Sequence, residues 1–331
     1  MLRQGLIQNS CSPFAAPVLL VQKKDLSWHF CIDFRRLNAI TIKNRYPLPI
    51  IEELLDELSG SVWFTSLDLR AGYHQIRMKP GEEFKTSFKT HHGHYEFKVM
   101  PYGVTGGPST FQGNMNILFS LLLRKGVLVF VDDILVHSAT LKQHVLLLRQ
   151  VFQLLDEHQF YLKRAKCKFA QQKLTYLGHV ISAEGVATDE KNIAAIRDWP
   201  TPTTVKEVRG FLGLAGYYRR FVHNFGIISR TLTNLLKKGV VFQWTEDAEA
   251  VFQHLKMALI TAPVLTLPQF DHTFEVETDA SNTGVGAVLM QDGHPLAFFS
   301  KVLGPRNQGL SAYEKDFMAV LMAVDQWRPY L

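Results

Sequence analysis

Val127-Leu128-Val129-Phe130-Val131-Asp132-Asp133-Ile134-Leu135-Val136 is the most telling segment of the chain. Two apolar runs rich in β-branched residues flank an acidic pair, which reads as a β-hairpin with carboxylates at its tip. Asp-Asp alone is an ordinary turn sequence, since Asp favours turns. The flanks sharpen the reading: acids set between apolar runs cost free energy unless something cationic sits on them.

The runs on either side place this hairpin in a mixed α+β region. Upstream, Pro17-Val18-Leu19-Leu20-Val21 and Trp28-His29-Phe30-Cys31-Ile32-Asp33-Phe34 are strand-like. Residues 50–59 have helical apolar spacing and stop at Gly60; residues 62–69 read as a strand that breaks at Ala71-Gly72. Gly106-Gly107-Pro108 opens a helix with Phe111, Met115, Leu118 and Phe119 on one face. Downstream, Leu141, Val145, Leu148, Phe152 and Leu155 mark a long amphipathic helix. Strand-like pieces at Tyr161-Leu162 and residues 174–181 close the region.

From about Thr188 the chain becomes helix-rich. Ile193, Ile196 and Trp199 form one pattern ending at Pro200, and Val205, Val208, Phe211 and Leu212 form the next. Thr245 is a plausible N-cap, with Glu246 and Asp247 in the first turn and Ala248, Phe252, Leu255 and Leu259 following. Pro263 and Pro268 bracket a linker, after which strands at 273–279, 285–290 and 296–300 lead to a helix beginning near Ser311.

With 331 residues, 47% of them apolar, the chain can bury a sizeable core in two or three domains, which excludes wholesale disorder. Its 22 Gly and 14 Pro are ordinary, which excludes a collagen-like chain. The 3 Cys (Cys11, Cys31 and Cys167) are scattered and read as reduced thiols, neither a disulfide framework nor metal ligands. No apolar run approaches the roughly 20 residues that span a bilayer, and the opening residues do not read as a signal peptide. A net charge of +6 and a pI near 9.1 admit a polyanionic partner without requiring one.

Asp68, at the end of its strand, and the Asp132-Asp133 pair form the first chemical constellation. Converging there, they suit two divalent cations, one activating an attacking hydroxyl and the other stabilising a leaving oxygen, as phosphoryl transfer requires. Oxygen ligands with room for water suit Mg²⁺.

These residues carry a resemblance. Phe130-Val131-Asp132-Asp133 is similar to the acidic signature of reverse transcriptases. Leu67-Asp68-Leu69-Arg70-Ala71-Gly72-Tyr73-His74-Gln75-Ile76 resembles the first catalytic-acid motif of Ty3/gypsy-type long-terminal-repeat retrotransposons. The likeness continues, in order, through Gly93-His94-Tyr95-Glu96-Phe97, Met100-Pro101-Tyr102-Gly103, Tyr176-Leu177-Gly178-His179-Val180-Ile181-Ser182 and Phe211-Leu212-Gly213-Leu214-Ala215-Gly216-Tyr217-Tyr218-Arg219-Arg220-Phe221. It implies an α+β right-hand polymerase (fingers, palm, thumb) followed by a ribonuclease H-like domain. The division expected is 1–186 for fingers and palm, 187–262 for a helical thumb and connection, and 263–331 for the first part of the ribonuclease H-like domain.

By that resemblance the chain is an RNA-directed DNA polymerase of a retrotransposon Pol polyprotein. Asp68, Asp132 and Asp133 are expected to hold two Mg²⁺, with Mn²⁺ a possible substitute. Tyr73 corresponds to the residue whose ring packs under the incoming sugar and excludes a 2′-hydroxyl, and Tyr102 to a nucleotide-pocket residue. Lys23 and Arg35 are expected to meet triphosphate or template, though solvated surface fits them equally well. Tyr176, Leu177 and Gly178 match the turn that grips the primer end. Implied partners are a primed RNA or DNA template, RNA–DNA hybrid, deoxynucleoside triphosphates and the other Pol parts, with no membrane. A cytoplasmic particle is suggested by the family only.

A second acidic set, Asp279 at a strand end and Asp316 on the last helix, resembles metal ligands of the ribonuclease H site. Periodicity alone does not choose between Asp316 and Glu314, about 200° apart on a helix; Tyr313, Phe317, Val320, Leu321 and Val324 are expected to form a buried stripe between them. The resemblance favours Asp316. The family's remaining acids lie beyond Leu331, so no efficient ribonuclease H activity is expected from these residues alone.

Departures from the family pattern are Gly106-Gly107 where Asn-Ala is usual, His29 where Arg is common, Phe130 for Tyr and Asp316 for Glu. Gly106-Gly107 is expected to add flexibility beside the nucleotide pocket, and His29 lacks the fixed charge and fork of Arg. They keep a second reading open: a catalytically degenerate, nucleic-acid-binding remnant. His91-His92-Gly93-His94 reads as a solvated hairpin in preference to a zinc site. Residues 160–169 interleave aromatics with cations, which suits either backbone tracking or a half-buried strand.

Overall fold

The computed structural model describes residues 1–22, 26 and 28–331. The chain divides into two compact units, Met1–Leu54 with Ser61–Gln172, and Leu55–Gly60 with Lys173–Leu331.

Up to Gln171 the elements are β1 (Ile7–Asn9), β2 (Val18–Gln22), β3 (Trp28–Ile32), α1 (Arg35–Ile40), α2 (Ile51–Asp56), β4 (Trp63–Asp68), β5 (Phe88–Thr90), β6 (Gly93–Phe97), α3 (Gly107–Leu118), β7 (Val127–Phe130), β8 (Asp133–Ser138), α4 (Leu141–Glu157) and β9 (Lys168–Gln171). The central sheet is antiparallel in the order β7-β8-β4-β9. Val127, Leu128, Val129, Ile134, Leu135 and Val136 are all buried. Both faces of the hairpin are therefore covered, which is why its strands read as continuous apolar runs and do not alternate. Phe111 and Met115 of α3 and Val151 and Leu155 of α4 pack with Leu67, Val127, Val129, Ile134 and Val136 into one cluster. Smaller sheets, β2-β3 and β1-β6-β5, complete the unit.

Helix α4 forms where the apolar spacing predicts it, but its buried face is displaced. Leu141, Val145 and Phe152 are exposed, whereas His144, Val151 and Leu155 are buried. The reason is a polar core residue: His144 Nε2 bonds to Thr65 Oγ1 at 2.7 Å and its Nδ1 to Ser138 Oγ at 3.0 Å, so an imidazole takes an inward position.

In the second unit lie β10 (Lys173–Tyr176), β11 (His179–Ser182), β12 (Gly185–Thr188), α5 (Glu190–Arg197), α6 (Val205–Tyr217), α7 (Phe225–Ile228), α8 (Arg230–Asn234), α9 (Glu246–Ile260), β13 (Glu275–Ala280), β14 (Gly284–Gln291), β15 (His294–Val302), α10 (Pro305–Gln308) and α11 (Ala312–Gln326). Thr245 caps α9 by accepting from the Ala248 N–H, and Ala248, Phe252, Leu255 and Leu259 are buried, as their spacing predicts. The Pro-bracketed stretch is not a free linker: Leu265 is fully buried and bridges Val186 of β12.

The α11 stripe is the clearest correction. Tyr313, Phe317, Val320, Leu321 and Val324 are exposed, and the residues turned inward are Lys315, Ala319, Ala323 and Trp327. Helix α11 packs on β13 and β14, and a row of small residues four apart lets a helix lie close on a sheet where bulky ones would hold it off. Glu314 and Asp316 therefore flank the Lys315–Ala319 row.

Candidate active site

The register of the central sheet assembles the acids. Asp68, the last residue of β4, is the direct partner of Asp133, the first of β8. Residues so opposed share a sheet face with Cβ atoms about 4.5–5.5 Å apart. Phe130 pairs with Asp133, so Val131 and Asp132 alone make the turn. Gly72, buried just beyond β4, permits the third approach: a Cβ there would lie 3.6 Å from Asp132 Cβ and 3.2 Å from the Phe111 ring.

The turn is strained and supported. Val131 has φ of +53°, a left-handed conformation unfavourable for a β-branched residue. Gln112 of α3, fully buried, accepts a hydrogen bond from the Val131 N–H at 2.6 Å and donates to the Val129 carbonyl at 3.1 Å. Its amide also donates to Asn116 Oδ1 at 2.8 Å, and Asn116 donates to the Tyr46 hydroxyl at 2.8 Å.

Charge is crowded here. Partial loss of hydration raises the Asp133 carboxyl above the usual range, and the neighbouring charges of Asp132 and Asp68 raise it further, against an opposing pull from Lys166. Lys166 Nζ lies 3.0 Å from Asp68 Oδ2. Bonding to Asp68 holds the ammonium above its ordinary value. Lys166 sits in the cation-rich run 160–169, but nothing in the run singles it out.

Tyr73 and Tyr102 stack at 4.9 Å between ring centroids, and Tyr73 also packs on Phe111 at 5.3 Å. Burial and then Asp132 raise both phenols, with Asp68 adding to the effect on Tyr102. Gly107 leaves room for the Tyr73 ring: a Cβ there would lie 3.2 Å from Tyr73 Cε2. Arg35 is exposed and forks onto Asp33, with Nη2 at 2.6 Å from Oδ2, which holds the Asp33 carboxyl at about 2. Lys23 lies outside the described residues.

Three carboxylates with exposed or half-buried positions suit a hard, oxygen-seeking divalent cation, and the raised Asp133 and the recruited Lys166 mark a cradle that such a cation would relieve. As their side chains stand, no group of three His, Cys, Asp or Glu among the described residues is closed into a ligand set.

In the second unit, Asp279 is exposed on β13 opposite Gly286, and Asp316 is exposed on α11. Glu314 is committed elsewhere: it closes a capping box with Ser311, whose bonds hold its carboxyl below the usual range. Tyr176 is buried, while Leu177 and Gly178 form the two-residue turn between β10 and β11.

Sheet order, acid-bearing turn and separate C-terminal sheet together define a reverse-transcriptase-like fold with a ribonuclease H-like sheet. A family model described as reverse transcriptase (RNA-dependent DNA polymerase) matches residues 21–181, and one described as RNase H-like domain found in reverse transcriptase matches 244–331. The chain is 41% identical over 338 residues to a retrovirus-related Pol polyprotein from transposon 297 of Drosophila melanogaster, covering all of this chain and 32% of that protein. It is 35% identical over 335 residues to the transposon Tf2-3 polyprotein of Schizosaccharomyces pombe, covering all of this chain and 25% of the relative. It thus spans about a third or a quarter of these relatives' length. The foamy viral protease-reverse transcriptase in complex with double-stranded DNA superposes with a TM-score of 0.91 at 23% identity, over 98% of this chain and 58% of that one. The same protein with an RNA/DNA hybrid gives 0.88 at 23%, over 99% and 45%; at this identity the likeness shows the fold. The chain belongs to the reverse transcriptases of Ty3/gypsy-type retrotransposon Pol polyproteins, as the sequence motifs imply. No helix among the described residues is long and apolar enough to cross a membrane.

Proposed function

We propose that this chain is an RNA-directed DNA polymerase that adds deoxynucleotides to a primer 3′-hydroxyl on an RNA or DNA template. The observation that carries the reading is the pairing of Asp68 with Asp133 beside the Asp132 turn. In this reading residues 1–186 are fingers and palm, 187–262 thumb and connection, and 263–331 the start of a ribonuclease H-like domain with Asp279 and Asp316 as its acids. The related foamy viral structures hold double-stranded DNA and an RNA/DNA hybrid, which supports nucleic acid as the partner class.

Asp68, Asp132 and Asp133 would hold two Mg²⁺, which when bound lower the proton affinity of the 3′-hydroxyl and neutralise charge developing on phosphate. The chain's own residues do the positioning. The turn presents Asp132 next to the Asp68–Asp133 pair; Tyr73, wedged between Tyr102 and Phe111, offers a fixed aromatic wall to the incoming sugar; Tyr102, half exposed, stacks on Tyr73. Lys166 offers a cation next to the acids, where polyphosphate charge gathers.

Asp132→Asn and Asp133→Asn are expected to abolish Mg²⁺-dependent extension of a primed RNA template, with hybrid binding retained. Unchanged extension by either variant rejects the assignment. Absence of templated extension by the unsubstituted chain favours the degenerate, binding-only reading.

A further inference from the structure

The Tyr217-Tyr218 pair at the end of α6 belongs to a motif that the polymerase reading leaves without a role. Its hydroxyls have defined partners. Tyr217 Oη donates to the Leu177 carbonyl at 2.6 Å, and Tyr218 Oη donates to the Gly178 carbonyl at 2.5 Å. His179 Nδ1 bonds to the same Leu177 carbonyl at 2.9 Å. Asn192 of α5 donates to the Tyr218 hydroxyl at 2.7 Å. Two consecutive carbonyls of one turn thus receive three side-chain groups.

That turn needs them. Leu177 has φ of +45° and Gly178 φ of +71°, the double left-handed shape of a two-residue hairpin turn for which Asn-Gly is the favoured pair. Leucine is strained in that region and persists there where its surroundings over-determine it. Tyr218 and Phe221 are fully buried, and the His179 ring lies 5.1, 5.5 and 5.7 Å from Tyr217, Tyr218 and Phe221, so the donors sit on a rigid aromatic block. A Cβ on Gly178 would lie 3.4 Å from both Asn192 Nδ2 and Tyr217 Cε1, so block and turn fit closely.

We propose that Tyr217 and Tyr218 are positioning residues for the primer end: they lock the 176–178 turn in its left-handed shape and fix it to α5 and α6. This rests on reading that turn as the primer grip, and the test separates the two. Tyr217→Phe, Tyr218→Phe and the double variant delete only hydroxyls; Leu177→Ala and Gly178→Ala alter the turn itself. Readouts are the dissociation rate of a primed template, KM for deoxynucleotide, and the unfolding temperature. The double variant is expected to release primer about five- to tenfold faster, as the loss of about one hydrogen bond between primer and the loosened turn gives, with KM for deoxynucleotide unchanged. Tyr217→Phe, at a 39% exposed site, is expected to do so without lowering the unfolding temperature. Faster release by the turn variants alone overturns the positioning role and spares the grip. Release unchanged in all variants overturns both, and release changed only in the tyrosine variants shows that the hydroxyls act elsewhere and overturns the proposal.

Discussion

Replacing Gln112 by Leu is expected to disable the acidic turn far more than the fold. The substitution orphans two backbone groups, the Val131 N–H and the Val129 carbonyl, that Gln112 serves at 2.6 and 3.1 Å. Each buried orphan costs about 1–3 kcal/mol. Opposing this, Val131 is held at φ of +53°, a strain of about 1–3 kcal/mol that the turn sheds if it relaxes. Relaxation is therefore the inexpensive response: it recovers much of the lost energy and moves Asp132 away from Asp68. Net destabilisation should stay near 2 kcal/mol, while a displacement of about 1 Å at reacting groups costs about 100-fold in rate. The assay is single-turnover extension of a primed RNA template at saturating deoxynucleotide, beside urea unfolding of the same preparations. Gln112→Glu keeps an acceptor for the Val131 N–H but sets a carboxylate against the Val129 carbonyl, and should also fail. Extension by Gln112→Leu within about twofold of the unsubstituted protein would show that Gln112 does not hold the acidic turn in place, as would a rate loss accounted for entirely by unfolded protein.

Other expectations follow from the charges. Because burial, and after it the charges of Asp132 and Asp68, raise the Asp133 carboxyl, Mg²⁺ should raise the unfolding temperature, Asp133→Asn should raise it without Mg²⁺ and abolish the response, and Lys166→Ala should lower it without Mg²⁺ while reducing the Mg²⁺ needed for protection; thermal melts across a Mg²⁺ series check all three. Burial, with a smaller contribution from His144, lowers the imidazole of His137 from 6.5 to about 4; its Nδ1 is 2.8 Å from Ser61 Oγ, and among the described residues its buried Nε2 has no hydrogen-bond partner. The folded state resists protonation there, so the unfolded state binds the extra proton between pH 6.5 and 4. Stability is complete above 6.5, falls with pH through that window by about 3 kcal/mol in total, and levels off below it. Urea unfolding from pH 7.5 to 4.5 should show this fall, and His137→Gln should flatten it.

Much of the architecture was legible because it is written in apolar runs and caps. The hairpin at 127–136, the strand ending at Asp68, helix α9 behind Thr245 and the three strands after Pro268 each announce themselves by periodicity or by a capping residue, and the register then brings Asp68 to Asp133. Legibility failed where geometry outranked hydrophobicity. On α11 the sheet accepted Ala319 and Ala323 and left Phe317 and Leu321 outside, since close approach needs small side chains however apolar the neighbours are. On α4 a histidine took an inward place because Thr65 and Ser138 could serve both its nitrogens.

The same physics hid the supports of the candidate site. An acid at a hairpin tip is conspicuous because it breaks an apolar pattern; a buried amide that holds the tip is not, because it looks like one more polar residue on a helix. Gln112, Tyr217 and Tyr218 share that property. Each serves a short turn whose leading residue, Val131 or Leu177, is branched and apolar yet left-handed, and each supplies hydrogen bonds to the backbone at that turn. Sequence alone shows neither the sign of φ nor the partner across the fold. The two turns therefore look like minor lapses of local propensity, when each is a strained position paired with a buried clamp, Gln112 or Tyr218. Broken local rules with a dedicated compensating contact are expected at functional or strained sites, and two of them lie at the acid-bearing turn and at the turn read as meeting the primer.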